Sequence, residues 1–170
     1  MTLSIRQASS DADYAAFGEL CRTYVDWCRA RYAHDTWFVT EVFGYQSLDD
    51  ELKDLSLKYG PPKGRTYLAI QEGVVAGGGA YRRTSETTCE LKRLYVSDAA
   101  KGQGIGRRLS EALMQAARED GFTRMQLDTG NLLTEAIAMY EKLGFERCPP
   151  YHSYPERLMP YLVFMQRALA

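Results

Sequence analysis

Residues 91–112 read LKRLYVSDAAKGQGIGRRLSEA. Residues 91–96 have the composition of a strand, and apolar residues at helical spacing from Ile105 onward predict an amphipathic helix. Between the two, glycines at 102, 104 and 106 let a ligand approach the backbone without meeting a Cβ atom. Because the first N–H groups of a helix lack intrahelical acceptors and carry partial positive charge, this bend predicts a binding site for phosphate groups.

The residues around the bend do not match the Walker phosphate-binding motif and fit the dinucleotide-binding fingerprint badly, although Asp128 lies where that fingerprint has its acidic residue. The Walker motif requires Gly-Lys followed by Ser or Thr, and the sequence contains no such triplet. A dinucleotide-binding fingerprint requires a third glycine where this chain has Arg107, and it follows its strand without a spacer such as residues 97–101. On its own the glycine run is equally compatible with a tight turn, so other segments of the chain are needed to distinguish a phosphate-binding bend from a plain turn.

Two segments together resemble signatures of the GNAT N-acetyltransferase superfamily. Residues 101–106 (KGQGIG), preceded by the strand 90–96, resemble its acetyl-CoA motif, and residues 136–145 (AIAMYEKLGF) resemble its second signature. The likeness extends over residues 66–148. It implies an α/β (α+β) fold for a single domain spanning residues 1–170, with a mixed, largely antiparallel central sheet flanked by helices.

The resemblance also implies that acetyl-CoA lies between two splayed strands, residues 90–96 and 125–128. A β-bulge near Leu94–Tyr95 would resolve the mixture of charged and apolar side chains on one face of the first strand. By the same resemblance, the backbone of Leu94 and Val96 pairs with the pantetheine amides, and the Val96 N–H stabilises the oxyanion. The implied cofactor-binding residues are Leu94, Tyr95, Val96, Lys101, Gly102, Gln103, Gly104, Ile105, Gly106 and Arg107.

Tyr140 is the candidate general acid. In GNAT proteins the matching tyrosine protonates the departing CoA sulfur, and a phenol pKa of about 10 is close enough to a thiol pKa of about 8.5 for proton transfer. Without the resemblance, Tyr140 would be interpreted as a core aromatic, since it shares a helical face with Ile137 and Leu143. Many family members have Asn where this chain has Leu133, and Asn131 is interpreted as a helix cap instead.

Glu90 is the candidate base. A primary amine with a pKa of about 10 is protonated at neutral pH and must lose a proton before it attacks. Several GNAT enzymes use a carboxylate at this position, but an ordinary cross-strand ion pair with a neighbour such as Arg83 is equally compatible. No cysteine lies in an identifiable nucleophile setting, so direct acetyl transfer in a ternary complex is expected.

The acceptor site is expected beside residues 148–155 (CPPYHSYP), a loop that its prolines stiffen and that borders the acceptor mouth in the family. The residues implied to line it are Tyr151, His152 and Tyr154, with Arg83 as a further substrate contact. Four basic residues reach the same opening by strand order: Arg82, Arg83, Lys92 and Arg93. They indicate an acceptor that carries a carboxylate, whereas solvated strand ends are the plainer alternative.

The segment before residue 60 is predicted to form a half-buried strand at residues 3–8, followed by two helices joined by an aromatic loop. Ser10 and Asp13 indicate a capping box at the first helix, and the second extends from Ser47 to Gly60. The aromatic residues between them show no clear periodicity: Trp37, Phe38, Phe43 and Tyr45. They are interpreted either as anchors of a loop on the core or as a lid over the acceptor site.

A hairpin of strands 66–71 and 74–81 is predicted next, with Glu72-Gly73 as its turn. The run Gly77–Gly79 inside the second strand indicates a bulge or a close approach by another backbone or ligand. A final strand is predicted at residues 161–165.

Composition excludes several other classes of protein. With 170 residues, 45% apolar and 25% charged, the chain has the make-up of one ordinary globular domain. A net charge of −1 provides no attraction to nucleic acid, and no apolar run or signal peptide indicates a membrane. We therefore expect a cytoplasmic protein without nucleic-acid or membrane partners, for which a homodimer is compatible. The four cysteines lack a Cys-x-x-Cys pattern, so reduced thiols rather than metal ligands are expected.

The predicted function is transfer of an acetyl group from acetyl-CoA to a primary amine of a small metabolite. One alternative is an acyl-CoA-binding regulatory module with little transferase activity, which the departure at Leu133 allows. Another is acetylation of protein amines, for which the near-neutral charge offers no docking patch.

Overall fold

A mixed sheet carries the fold of residues 2–169, the part of the chain that this computed structural model describes. Its strands are β1 (Leu3–Gln7), β2 (Gly64–Gln71), β3 (Val74–Arg83), β4 (Thr88–Val96), β5 (Arg124–Gly130), β6 (Glu146–Arg147) and β7 (Leu162–Ala168), lying side by side in the order β1-β2-β3-β4-β5-β7-β6. Neighbouring strands are antiparallel except for the parallel pair β4–β5. The predicted largely antiparallel sheet is confirmed.

Helices cover both faces of this sheet. They are α1 (Asp11–Arg31), α2 (Thr36–Tyr45), α3 (Leu48–Glu51), α4 (Leu55–Tyr59), α5 (Ile105–Glu119) and α6 (Thr134–Lys142). Ala80 and Tyr81 are adjacent in β3 and therefore point to opposite faces. Ala80 packs in a core cluster with residues of α1 and α4, whereas Tyr81 packs with residues of α5 and α6. Within residues 2–169, no helix combines the length and the apolar character that a membrane span requires.

Local sequence signals near β1 and β2 are confirmed. The Asp13 N–H donates to Ser10 Oγ at 3.1 Å and the Ser10 N–H donates to the Asp13 carboxylate at 3.3 Å, which completes the capping box of α1. The β2–β3 turn places Glu72 and Gly73 at φ 52° and 77°, the left-handed values that a two-residue hairpin of this kind requires.

The aromatic stretch is helix α2, so the prediction of a loop is wrong. Phe38, Val39 and Val42 are buried on one helical face. Trp37 and Tyr45 remain 39% and 52% exposed. Because large aromatics occupy the solvent side as well, the sequence does not show the periodicity of an amphipathic helix.

The second predicted helix is also different, because residues 47–60 form two short helices, α3 and α4. Asp54 interrupts the pattern: its carboxylate accepts a hydrogen bond from the Leu57 N–H at 3.1 Å and so begins α4 as a new helix. Ser47 has φ 58° and makes no capping hydrogen bond, unlike a normal N-cap. At the other end of the chain, β7 covers Leu162–Ala168 rather than residues 161–165.

A bulge in β4 lies one residue earlier than predicted. Arg93 has φ 60°, and the pairing of β4 with β3 shifts its register opposite Gly79. A Cβ atom on Gly77 would lie 2.9 Å from the Tyr95 carbonyl oxygen, and one on Gly79 would lie 2.8 Å from Leu94 Cδ1, so the backbone of β4 lies close to the glycine run. The close approach predicted from the glycine triplet is therefore confirmed.

Candidate active site

Strands β4 and β5 part along their length. They pair in parallel only from Thr88–Arg124 to Glu90–Gln126, and the bulge at Arg93 follows at once. On the far side of β4, the Ser97 N–H donates to Ala76 O at 2.8 Å. Hydrogen-bonding positions alternate along an antiparallel ladder, so the N–H of Val96 points away from β3 and toward the gap.

The glycine bend leads directly into an uncapped helix. Gly102 and Gly104 have φ 80° and 75°, and no side chain caps α5. The Arg108 N–H donates to Gly104 O at 3.1 Å, so the N–H groups of residues 105–107 precede the first intrahelical bond. These three amides and the helix dipole form an anion-binding position.

A cleft of about 500 Å³ joins the bend to the gap between the strands. Of the predicted cofactor residues, nine line it: Leu94, Tyr95, Val96, Lys101, Gly102, Gly104, Ile105, Gly106 and Arg107. The Lys101 ammonium lies 4.1 Å from the ring centroid of Trp27, at the opposite wall. The remaining predicted residue, Gln103, instead accepts a hydrogen bond at its side-chain oxygen from Gln71 Nε2 at 2.7 Å.

Tyr140 lies on α6 at the wall of the same cleft and is 6% exposed. Burial raises its pKa above the ordinary tyrosine value, so the phenol is protonated at neutral pH. Its ring also packs edge-on against Phe145, at 5.7 Å between centroids. The residue therefore lines the cleft and packs in the core at once, and its role as general acid stays a prediction.

Asn131 does not cap α6, so that interpretation is wrong. Leu133 is the N-cap residue of the helix, and the Asn131 side-chain oxygen Oδ1 accepts a hydrogen bond from the Tyr32 hydroxyl at 3.0 Å. Leu133 is 4% exposed. It lines the wall of the cleft, so the departure from the family pattern falls within the site.

Glu90 is fully buried in a group of cations and hydroxyls. It accepts hydrogen bonds from Arg82 Nε at 3.1 Å and Tyr151 OH at 2.8 Å, and His152 Nε2 lies 2.6 Å from Oε2. The cross-strand partner is thus Arg82, directly opposite in the β3–β4 ladder, and not Arg83 as predicted. Burial alone would raise the pKa of Glu90, but Lys92, His152 and Arg82 outweigh it and hold that pKa well below its usual range. A carboxylate held in this way is a weak proton acceptor, which favours the ion-pair alternative.

The loop 148–155 covers the acceptor face of the sheet through three side chains. Tyr151 and His152 contact Glu90, and the Tyr154 hydroxyl donates to Asp128 Oδ2 at 2.8 Å. Burial and the nearby carboxylates raise the pKa of both tyrosines, so their hydroxyls act as donors.

Arg83, the other predicted substrate contact, lies outside this group. Its guanidinium donates to the carbonyls of Ser85 and Glu86 and covers the ring of Phe122 at 4.7 Å. Because β3 ends at this residue, its side chain contacts the adjoining turn rather than the acceptor face.

A small pocket of about 70 Å³ lies between this group and helices α1 and α2. Its polar lining includes Lys92, Asp128 and Gln46, and its apolar lining includes Phe38 and Phe43 of α2. The aromatic helix α2 therefore forms a wall of this pocket, and its role as a lid over an acceptor stays a prediction.

A cysteine thiol also reaches the small pocket, but it lacks the chemistry of a nucleophile. Cys28 is one of the lining residues. Burial raises the pKa of its thiol to about 12, so the thiol is neutral at pH 7.

Asp128 is the site residue whose role the sequence does not reveal, and for Lys92 the sequence indicates only that it is one of four cations near the acceptor opening. Lys92 looks like one of several charged strand residues, and Asp128 follows apolar residues at the end of a predicted strand. Glu90, Asp128 and His152 place ligand atoms within 4.8 Å of one another, a spacing that a metal ion could use. The Lys92 ammonium, 3.9 Å from Glu90, and the Arg82 guanidinium would compete with such an ion for the same carboxylate.

Comparison with known proteins agrees with this geometry. A family model described as the acetyltransferase (GNAT) family matches residues 27–145. The uncharacterized N-acetyltransferase YjgM of Escherichia coli is 40% identical over 107 residues, 61% of this chain and 64% of that protein, so the match spans less than two thirds of that relative. An IAA acetyltransferase of Azospirillum brasilense is 35% identical over 127 residues, 74% of this chain and 80% of that protein.

Solved structures share the fold. An acetyltransferase from Streptococcus agalactiae superposes with a TM-score of 0.74 at 21% identity and 98% coverage of both chains. The PaiA N-acetyltransferase of Thermoplasma acidophilum, solved in complex with coenzyme A, superposes with a TM-score of 0.70 at 18% identity and 99% coverage of both chains. The uncapped start of α5, the parted strands and the adjoining cleft all fit a CoA thioester. The chain belongs to the GNAT family of acyl-CoA-dependent N-acetyltransferases.

Proposed function

We propose that the protein transfers the acetyl group of acetyl-CoA directly to the primary amine of a small metabolite, within a ternary complex. One observation carries this proposal: the large cleft and the small pocket meet where β4 and β5 part. Tyr24, Thr129 and Leu133 line both. A donor in the cleft and an amine in the pocket would therefore be held next to each other, which is the main requirement of an acyl transfer without a covalent enzyme intermediate.

The donor side of the site is made by the backbone. Acetyl-CoA, when bound, supplies an acetyl group activated as a thioester. The amides of residues 105–107 are suited to its pyrophosphate. The N–H of Val96 is suited to the oxygen on which negative charge develops, a contact whose loss typically costs about 3 kcal/mol of barrier.

Two side chains handle protons in this proposal. Tyr140 donates a proton to the departing CoA sulfur, as a protonated phenol at the wall of the cleft can do. Asp128 accepts the proton that the acceptor amine loses, because its carboxylate lines the small pocket. Glu90, first predicted to be the base, is assigned to holding Tyr151 and His152 in place.

The test combines binding with turnover. Calorimetry with acetyl-CoA establishes donor binding, and release of the CoA thiol is then followed with a panel of small primary amines and with lysine-containing peptides. We expect heat on binding of acetyl-CoA and release of CoA with small amines. When donor and acceptor concentrations are both varied, the lines of the double-reciprocal plot of initial rate should intersect.

Three other results would contradict the proposal. Parallel initial-rate lines would indicate a covalent acetyl-enzyme. Acetylation of the peptides alone would indicate a protein acetyltransferase. Donor binding without release from any amine would indicate the regulatory module, which Leu133 inside the cleft leaves as the main alternative.

A further inference from the structure

Of the four basic residues predicted to gather at the acceptor end, three have other partners. Arg82 donates to Glu90 at 3.1 Å, and Arg93 donates to Glu51 at 2.8 Å. Arg83 contacts backbone carbonyls on the outer turn. Lys92 is the fourth, and its surroundings are different.

Lys92 carries a buried ammonium that faces the small pocket. The residue is 9% exposed and lines that pocket. Across residues 2–169, the one carboxylate oxygen within 4.0 Å of its Nζ is Glu90 Oε1, at 3.9 Å, which is too long for a hydrogen bond. Glu90 is already engaged by Arg82, Tyr151 and His152. An ammonium that lines the pocket without a close carboxylate partner is available to an anionic oxygen of a ligand bound there.

Asp128 provides the opposite charge across the same pocket. It lies on β5, beyond the last paired residues of β4 and β5. One of its oxygens accepts from Tyr154 at 2.8 Å, which fixes the carboxylate against the pocket wall. Lys92 and Asp128 therefore present a cation and an anion to the same pocket from the two parted strands.

We propose that the acceptor is an α-amino acid, whose carboxylate binds Lys92 and whose amino group binds Asp128. This inference rests on the proposed function and names its substrate class. The pocket volume of about 70 Å³ corresponds to roughly five water-sized positions, enough for the amino, α-carbon and carboxylate atoms. Phe38, Val39 and Val42 form an apolar wall suited to the side chain of such an acceptor.

The amino acid and acetyl-CoA are the only reactants that this acetyl transfer requires. The amino group first loses a proton to Asp128 and then attacks the thioester carbonyl, forming the C–N bond as the C–S bond breaks. The sulfur leaves with the bonding pair and takes a proton from Tyr140, while the second amine proton restores the phenol through solvent. The products are an N-acetylamino acid, CoA thiol and one proton released to solvent.

The first test compares acceptors that differ in the carboxylate alone: L-leucine against 3-methylbutylamine, and L-phenylalanine against 2-phenylethylamine. The ratio of their kcat/KM values is measured for the native protein, for Lys92→Met and for Lys92→Arg. We expect Lys92→Met to lower the ratio at least about tenfold, since a charge-assisted hydrogen bond is lost, and Lys92→Arg to retain most of it. Comparing ratios between variants cancels the different amine pKa values. Lys53→Met, at a side chain 76% exposed, is the matched control and should leave the ratio unchanged.

A second measurement needs neither a variant nor turnover. In the presence of CoA, calorimetry compares N-acetyl-L-leucine with N-(3-methylbutyl)acetamide, and the carboxylate should tighten binding at least about tenfold. Equal binding, or a ratio that Lys92→Met does not change, would overturn the α-amino acid assignment while leaving the proposed acetyl transfer intact. Absence of CoA release from every amine, together with tighter binding of the carboxylated product, would overturn the transferase proposal and support the role of Lys92.

Discussion

The donor half of the site consists mainly of backbone groups, whereas the acceptor half consists mainly of side chains. The donor half is mainly backbone, consisting of the glycine bend at residues 102–107 and the parted end of β4. The acceptor half consists of side chains from α2, from the loop 148–155 and from β4 and β5. A backbone site binds the part of a substrate that never changes, whereas a side-chain site can be altered one residue at a time to change specificity.

One buried ion pair joins the two halves. Arg93 lies in the bulge that opens β4, and its guanidinium donates to Glu51 of α3 and to Gln46 after α2. Burial alone would raise the pKa of Glu51, but Arg93 and Lys58 lower it to about 2, so the pair is charged at neutral pH. The bulge at which β4 parts from β5 is thus bonded to Glu51 and Gln46, which lie on the acceptor side of the site.

The largest expected effect separates chemistry from donor binding. Tyr140→Phe removes the proposed proton donor but keeps the ring that packs on Phe145. We expect kcat to fall at least about 100-fold, as is typical for loss of a general acid, with little change in the calorimetric Kd for acetyl-CoA. Rates and binding are measured on the same preparation.

Tyr59→Phe is the matched control for Tyr140→Phe. Within residues 2–169 the buried Tyr59 hydroxyl has no hydrogen-bond partner, so its removal should cost neither activity nor stability. A Tyr140→Phe variant with native turnover would make Tyr140 structural and leave the donor half with a binding role alone.

The donor half could be predicted from sequence because its determinants are local. Glycine spacing and the start of an amphipathic helix are both visible in residues 102–117, and the structure adds only that no side chain caps α5. The sequence predicts the bulge one residue too late, and it does not reveal that the Arg93 side chain in the bulge contacts Glu51, 42 positions earlier in the chain. Such a contact leaves no periodic trace in the sequence.

A smaller effect should follow from changing the glycine bend. Gly104 has φ 75°, and a Cβ atom there would meet nothing within 4 Å, so Gly104→Ala acts through backbone strain of about 1–2 kcal/mol rather than through a clash. We expect the KM for acetyl-CoA to rise about tenfold while the KM for the acceptor stays near its native value.

Gly44→Ala provides the corresponding control for Gly104→Ala. Gly44 also has open space around its Cβ position but lies inside α2 with an ordinary φ, so alanine should raise the thermal midpoint slightly. If Gly104→Ala altered the acceptor KM as much as the donor KM, the division into two independent halves would be wrong.

The sequence indicates where the acceptor half lies but not which of its side chains contact one another. Tyr151 and Tyr154 were placed at the acceptor mouth through the resemblance, yet their partners, Glu90 and Asp128, lie 61 and 26 positions away. Of four candidate cations, Lys92 is singled out only by the partners that Arg82, Arg83 and Arg93 have elsewhere in the fold. Side-chain partners across strands and loops are decided by tertiary packing, which sequence patterns do not encode.

The smallest expected effect is confined to the acceptor half. Tyr154→Phe removes the hydroxyl that donates to Asp128 at 2.8 Å but keeps the aromatic ring in the core. The loosened carboxylate should raise the acceptor KM about fivefold, the value of one ordinary hydrogen bond, with the acetyl-CoA KM unchanged.

Tyr45→Phe tests whether that effect belongs to the hydroxyl on Asp128 or to the loop as a whole. The Tyr45 hydroxyl donates to Ser153 O, and its ring packs on Tyr154 at 5.1 Å between centroids, so it holds the same loop without touching Asp128. A smaller rise in acceptor KM for Tyr45→Phe than for Tyr154→Phe would assign the effect to the orientation of the carboxylate. Equal rises would mean that the loop itself positions the amine, and the acceptor half would then depend on backbone as the donor half does.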